Sequence, residues 1–312
     1  MGYTLGIKCM SLIGGKQVKS DRLRLQKEAI QVVSGTPGRL FQFAREYKDI
    51  FSNVKILVID EVDEILENGF NNVLLSIMDR LPKTLQVCVT SATLTPDVTE
   101  LTAKLTKDPF KLLTKQEDLA RSGIRQFHVL VNSNGEEEKI VLCLALYERI
   151  KSLQTIIFAN KPTTVDSIFR RFKNRGLKVG MVHGDIDQKQ RDKVLESFKN
   201  QDIMVLITTD VWSRGIDVRS VMATINFDVP YHPQTYMHRV GRAGRFYGKG
   251  LAITLVSPKD DQAFKTLQTT FAMEIPELPV KFRQNKPAVD PQTYYMGQQM
   301  RKNWLKGRRK HT

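Results

Sequence analysis

Leu57-Val58-Ile59-Asp60-Glu61-Val62-Asp63 is an apolar run that ends in three acids within four residues. A short apolar stretch of this kind fits a buried strand. In an open parallel sheet, ligands collect beyond the carboxyl ends of the strands, so this ending sets carboxylates where a nucleotide and its magnesium would sit. Read alone it is equally an acidic loop, because a strand followed by Asp-Glu is a loose pattern. Its neighbours decide the fold. Comparable runs at residues 31–34, 54–59, 86–90, 155–158, 178–182, 203–207, 221–226 and 251–256 are each followed by a helical pattern. Such alternation predicts an α/β protein of parallel sheets with helices on both faces.

The 312 residues suffice for two domains, each with its own core. The polar stretch 114–126, which contains Gly123, reads as the linker between a first domain at 1–113 and a second at 127–280. Beyond it, residues 281–312 carry nine Lys and Arg against the single acid Asp290 and form a basic tail. With 41% hydrophobic and 26% charged residues the composition is that of a folded globular protein. There is no apolar run of membrane-spanning length and no signal-peptide pattern after Met1, which predicts an intracellular protein without a membrane partner. Cys9, Cys88 and Cys143 form no paired motif, so neither a disulfide framework nor a zinc site is expected. The net charge of +15 favours an anionic partner, nucleic acid first.

Several segments carry chemistry. At a magnesium site, Asp60 would hold the metal and Glu61 would orient or deprotonate the water that attacks a γ-phosphate, with Asp63 structural. Ser91-Ala92-Thr93 ends the next strand with two small hydroxyl residues that suit a neighbouring carboxylate, and equally suit a helix cap. Thr36-Pro37-Gly38-Arg39 follows a strand and opens a helix; it offers donors to an anion, and reads as readily as an ordinary capped turn. His238-Arg239-Val240-Gly241-Arg242-Ala243-Gly244-Arg245 sets three arginines around two glycines, a pattern for arginines that reach phosphate from a tight turn. Arg242 and Arg245 are the candidates to lower a phosphoryl-transfer barrier. Thr208-Thr209 and the following residues to Asp217 offer hydroxyls and amides to a nucleic-acid phosphate and a carboxylate to a ribose. Gln188 and Arg191 lie three apart, on one face of the helix after His183-Gly184-Asp185.

Taken in order, these segments resemble the DEAD-box RNA helicases, with spacing closest to the branch of eukaryotic translation initiation factor four-A. The resemblance spans roughly residues 1–280 and rests on a whole ordered series of motifs. It implies two RecA-like parallel-sheet domains, the first incomplete, that close on ATP and single-stranded RNA and separate short duplexes. It assigns Asp60 and Glu61 to magnesium and water activation, Asp63 to the Ser-Ala-Thr motif, and Ser91 and Thr93 to coupling between ATP state and unwinding. Gly14, Gly15, Thr36, Gly38 and Arg39 match first-domain RNA contacts. Asn160, Gln188, Arg191, Thr208 and Thr209 match second-domain RNA contacts. Gly215 and Asp217 match nucleotide contacts, and His238, Arg242 and Arg245 match interdomain and γ-phosphate residues. The cofactors implied are ATP and Mg2+. The partners implied are single-stranded or structured RNA, met chiefly through its backbone, and a protein of scaffold type, with the chain itself a monomer.

Departures from the family's pattern are Val62 in place of alanine, the basic tail, and the absence of G-x-x-x-x-G-K-[ST], the loop whose amides and lysine hold phosphates. Gly15-Lys16 comes nearest, with Gln17 in place of the hydroxyl and Met10 at the earlier glycine. The resemblance puts the adenine-recognising segment and the phosphate loop before Met1. Two expectations follow: part of a longer ATP-hydrolysing helicase, or a module that binds RNA or protein without hydrolysis.

Overall fold

The protein is described from a computed structural model, which covers residues 2–14, 18–47, 49–113, 123–212, 218, 220–244 and 249–279. The chain divides into two compact units, Met1–Leu112 and Leu113–Thr312.

The first unit holds two separate parallel ladders. One pairs β1 (Cys9–Leu12) with β2 (Val32–Gly35), and the other pairs β3 (Ile56–Ile59) with β4 (Gln86–Val89). Between and after them lie α1 (Val18–Lys27), α2 (Pro37–Glu46), α3 (Val62–Glu67), α4 (Asn71–Met78) and α5 (Pro96–Leu105). Met10 and Leu12 pack with Phe43 and Ala44 of α2 and Ile77 of α4. Ile59 packs with Val62 of α3, Leu74 of α4 and Val98 and Leu101 of α5. Strand side chains alternate between faces, so β3 buries Ile59 while Ile56 and Val58 stay 61% and 62% exposed.

The second unit is one six-stranded sheet, all parallel, in the order β5-β10-β9-β6-β8-β7. Its strands are β5 (Ile124–Leu130), β6 (Gln154–Phe158), β7 (Val179–Val182), β8 (Val205–Thr208), β9 (Val221–Asn226) and β10 (Gly250–Val256). Alternation sorts their side chains cleanly. Ile157, Ile207 and Ile225 face α6 (Glu136–Ile150) and α7 (Pro162–Asn174). Ile156 and Leu206 face the side covered by α8 (Gln188–Lys199), while Ala252 and Val256 meet α9 (Pro233–Val240) and α10 (Asp261–Thr270). With helices on both faces, β6, β8 and β9 are buried along their whole length. The α/β reading of parallel sheets therefore holds. Two strands escaped the sequence reading. One is β1, whose Cys-Met-Ser-Leu has no β-branched residue, and the other is β5, which begins at Ile124 inside the stretch read as linker to residue 126. Among the described residues β5 has a full ladder only with β10 and, on its other side, the isolated bridge of His128 to Glu277, and this place at the sheet edge tolerates Arg125, Gln126 and His128.

Candidate functional site

In the first unit the acids lie just beyond the end of β3. Glu61 is the N-cap of α3 and takes the left-handed conformation, φ 50° and ψ 54°, rare for a residue with a side chain. The neighbouring strand holds this bend. Thr90 N donates to Ile59 O at 2.9 Å and Thr90 O accepts from Val62 N at 3.0 Å. Its hydroxyl donates to Asp60 Oδ1 and accepts from Glu61 N at 3.3 Å. Thr90, which sequence reading passed over as a strand former, is thus the hub of the acidic turn. Asp60 stays exposed, Glu61 is half-buried, and Asp63 is buried. Asp63 Oδ2 accepts from Thr93 Oγ1 at 3.1 Å, and Ser91 Oγ donates to Thr93 O at 2.7 Å. Val62 is fully buried, so a larger apolar side chain than alanine is accommodated by packing.

Around Thr36, the N-cap of α2, the backbone is fixed by Thr36 N donating to Leu12 O at 3.1 Å. The glycine that this geometry demands is Gly35, where a Cβ would lie 2.7 Å from Leu12 O. Gly14 and Gly38 have open space where a Cβ would go. Arg39 is buried rather than displayed.

In the second unit a buried polar network lies beyond the carboxyl ends of the strands, and of the predicted residues it takes in Asn160. Arg239 is completely buried. Its guanidinium donates to Asp210 Oδ1 and Oδ2 at 2.6 and 2.7 Å, to Asn160 Oδ1 at 2.7 Å and to Asp228 O at 2.8 Å. It also lies over the Phe158 ring. Asn160 Nδ2 donates to Val229 O at 2.9 Å, and Asn160 N donates to Asp228 Oδ2 at 2.9 Å. Both polar atoms of the Asn160 side chain are therefore engaged within the protein. Asp228 Oδ1 in turn meets the buried Lys139 Nζ at 3.1 Å, and Lys139 reaches Asp260 Oδ2 at 3.0 Å. Burial alone would push the Asp260 carboxyl up. Hydrogen bonds from Ser257 and the Lys139 ammonium outweigh it and hold the group below the usual carboxylate range.

Other predicted contacts are also committed internally. Arg191 donates to Ile186 O at 2.7 Å and Gly184 O at 2.5 Å and so fixes the turn after β7. Gln188 Nε2 donates to Asp192 Oδ1 at 2.8 Å. Thr208 is fully buried, with its hydroxyl on Thr209 O at 2.9 Å, and Thr209 is nearly buried. His238 and Arg242 are buried on and just beyond α9, with Arg242 Nε donating to His238 O at 3.1 Å. Gly244 has φ 70°, and a Cβ there would meet Lys249 C at 2.8 Å, so both its conformation and the approach of the chain entering β10 require glycine. Gly15, Gly215, Asp217 and Arg245 lie outside the described residues, as do 114–122 of the expected linker and the tail from 281. Among the described residues no three His, Cys, Asp or Glu side chains cluster as a metal cage, and no helix is long and apolar enough to cross a membrane.

Lys139, Asp210, Asp228 and Arg239 were not singled out from sequence. Lys139 follows three glutamates and looks like a solvated helix start, and its partners lie 89 and 121 residues further on.

Residues 1–101 match the DEAD/DEAH box helicase family and residues 138–247 match the helicase conserved C-terminal domain. The chain is 38% identical over 281 residues to the ATP-dependent RNA helicase FAL1 of Mycosarcoma maydis, covering 90% of this chain and 70% of that protein. Among solved structures it is similar to S. cerevisiae Dbp5 bound to RNA and ADP BeF3, with a TM-score of 0.78, 26% identity, and 94% of this chain and 74% of that one covered. It is also similar to a Dbp5 variant bound to Gle1, with a TM-score of 0.68, 27% identity, and 98% and 75% covered.

Proposed function

The chain belongs to the DEAD/DEAH box helicase family of ATP-hydrolysing enzymes, and from that premise we propose that it serves an ATP-dependent RNA helicase that separates short RNA duplexes or remodels RNA–protein complexes. The observation that carries this reading is the acidic turn after β3, with Asp60 and Glu61 tied to Thr90 and Asp63 tied to Thr93. Magnesium is bound through one or two carboxylates plus waters and substrate phosphates rather than by an all-protein cage. An exposed Asp60 with one oxygen on Thr90 fits that chemistry, and Asp60 is the residue that would hold the ion. When bound, the metal neutralises charge on the phosphates. Glu61, fixed by the bend, orients or deprotonates the attacking water, while Arg242 and Arg245 offer cations to the γ-phosphate, and Gly215 and Asp217 contact the nucleotide. Ser91, Thr93 and His238 couple the nucleotide state to RNA.

RNA is met through its backbone by Gly14, Gly15, Thr36, Gly38 and Arg39 in the first unit and, in the second, by Asn160, Thr208 and Thr209 at strand ends with Gln188 and Arg191 on α8. The spacing supports the translation initiation factor four-A branch, and the basic tail supports added affinity for RNA. A scaffold-type protein partner and a monomeric chain complete the reading.

The test is ATP turnover by the protein, with and without single-stranded RNA, beside Glu61→Gln. RNA-stimulated hydrolysis that falls by about 10²–10⁴-fold in the variant is expected. Hydrolysis indifferent to RNA, or indifferent to Glu61→Gln, overturns the reading. Log affinity for single-stranded RNA should also fall with log salt at a slope of about 0.7 per phosphate contact, and a flat response rejects backbone binding.

A further inference from the structure

Lys139 stands on α6, away from the strand ends and from α9, and its ammonium links two acids of the second unit's network, Asp228 and Asp260. It lies in the first turn of α6 with its side chain only 3% exposed. A buried ammonium of this kind is tolerable only when paired and hydrogen-bonded. Its two carboxylates come from beyond β9, at Asp228, and from beyond β10, at Asp260. Asp228 divides its oxygens: Oδ1 meets Lys139, and Oδ2 receives the Asn160 amide at the end of β6. The backbone carbonyl of the same Asp228 accepts from Arg239, which also holds the Asn160 side chain. A single acid therefore carries the strand end at Asn160 on one atom and the arginine helix on another, and Lys139 is the cation that fixes that acid.

We propose that Lys139 is a positioning residue that, through Asp228, holds the β6 end at Asn160 and helix α9 as one rigid piece. On the functional reading given above, this makes the strand end offered to RNA and the arginine turn offered to phosphate keep a fixed spacing. Lys139 touches neither ligand.

The experiment compares the full chain with Lys139→Met, which keeps much of the apolar stem and removes the charge. The primary readout is hydrogen exchange, without RNA, at the Asn160 amide and the Arg239 side-chain Nε–H, beside amides of β9 as an internal reference for global unfolding. Exchange about tenfold or more faster at Asn160 and Arg239, with β9 unchanged, is expected. Parental rates at both sites in a folded variant overturn the proposal, as does uniform acceleration that includes β9. If Lys139→Met does not fold, Asp228→Asn serves instead. Its amide turns a donor toward either Lys139 or the Asn160 N–H, so the same two sites should loosen, and unchanged exchange overturns the proposal.

Single-stranded RNA affinity is measured in parallel. A parent chain that binds no RNA counts against the functional reading, while the exchange data, taken without RNA, still decide the role of Lys139.

Discussion

Strand β3 of the first unit, Ile-Leu-Val-Ile, and strand β6 of the second, Gln-Thr-Ile-Ile-Phe, are both rich in β-branched residues, yet their surroundings differ sharply. Every residue of β6 is buried between β8 and β9 under helices on both faces. In β3 only Ile59 is buried, β4 is its only ladder partner among the described residues, and Ile56 and Val58 face solvent. Apolar character fits a strand for a sheet; neighbours decide how much of that character becomes stability. The second unit uses it on both faces, and the first on one.

The contrast is broken most directly by paired truncations read by urea unfolding. Ile225→Ala, at a fully buried β9 position, should cost about 2–5 kcal/mol. Ile56→Ala, on the open face of β3, should change stability by less than about 0.5 kcal/mol. Equal costs would mean that β3 is covered in solution, and the difference between the units would vanish.

A smaller effect sharpens the contrast at the strand ends. Thr90→Val removes the hydroxyl shared by Asp60 and Glu61 at an exposed position, so unfolding should move by only about 0.5–1.5 kcal/mol. RNA-stimulated ATP turnover should fall far more steeply. A stability loss as large as that of Ile225→Ala would place the hydroxyl among structural supports.

The smallest effect is in acid. Because the folded Asp260 carboxyl is held below its ordinary value, its contribution to stability is fully present above the unfolded pKa, and it is lost as pH falls through the folded value. Asp260→Asn should therefore flatten the decline in second-unit stability below about pH 4, where carboxylates protonate. An unchanged acid slope would show that Lys139 and Ser257 do not bias this group.

How much of this was legible follows from range. Runs such as 203–207 and 221–226 announce strands because β-branched side chains suit a pleated, packed surface. Cys9–Leu12 carries no such signal and is a strand through its pairing with Val32–Gly35. The acids of residues 60–63 are visible because three carboxylates after an apolar run break the local pattern. Thr90 is invisible because threonine in a strand is ordinary, and its significance comes from a residue 30 positions earlier. Asn160 and Thr208 were legible as polar groups at strand ends, but not the inward direction of their side chains, which partners on other elements decide. Lys139 shows the same limit, since nothing in Glu136-Glu137-Glu138-Lys139 distinguishes the buried member from the solvated ones.

The left-handed backbone at Glu61 sets two kinds of selection against each other. Holding a side-chain-bearing residue in that region costs on the order of 1 kcal/mol, which glycine would not incur. Engineering for thermal tolerance alone would treat position 61 as a defect to be relieved by glycine. Such a repair would delete the carboxylate assigned to the attacking water, so the strained bend is worth keeping only where turnover is under selection. The residue found at this bend in diverging copies of the protein would then record whether hydrolysis was still being maintained.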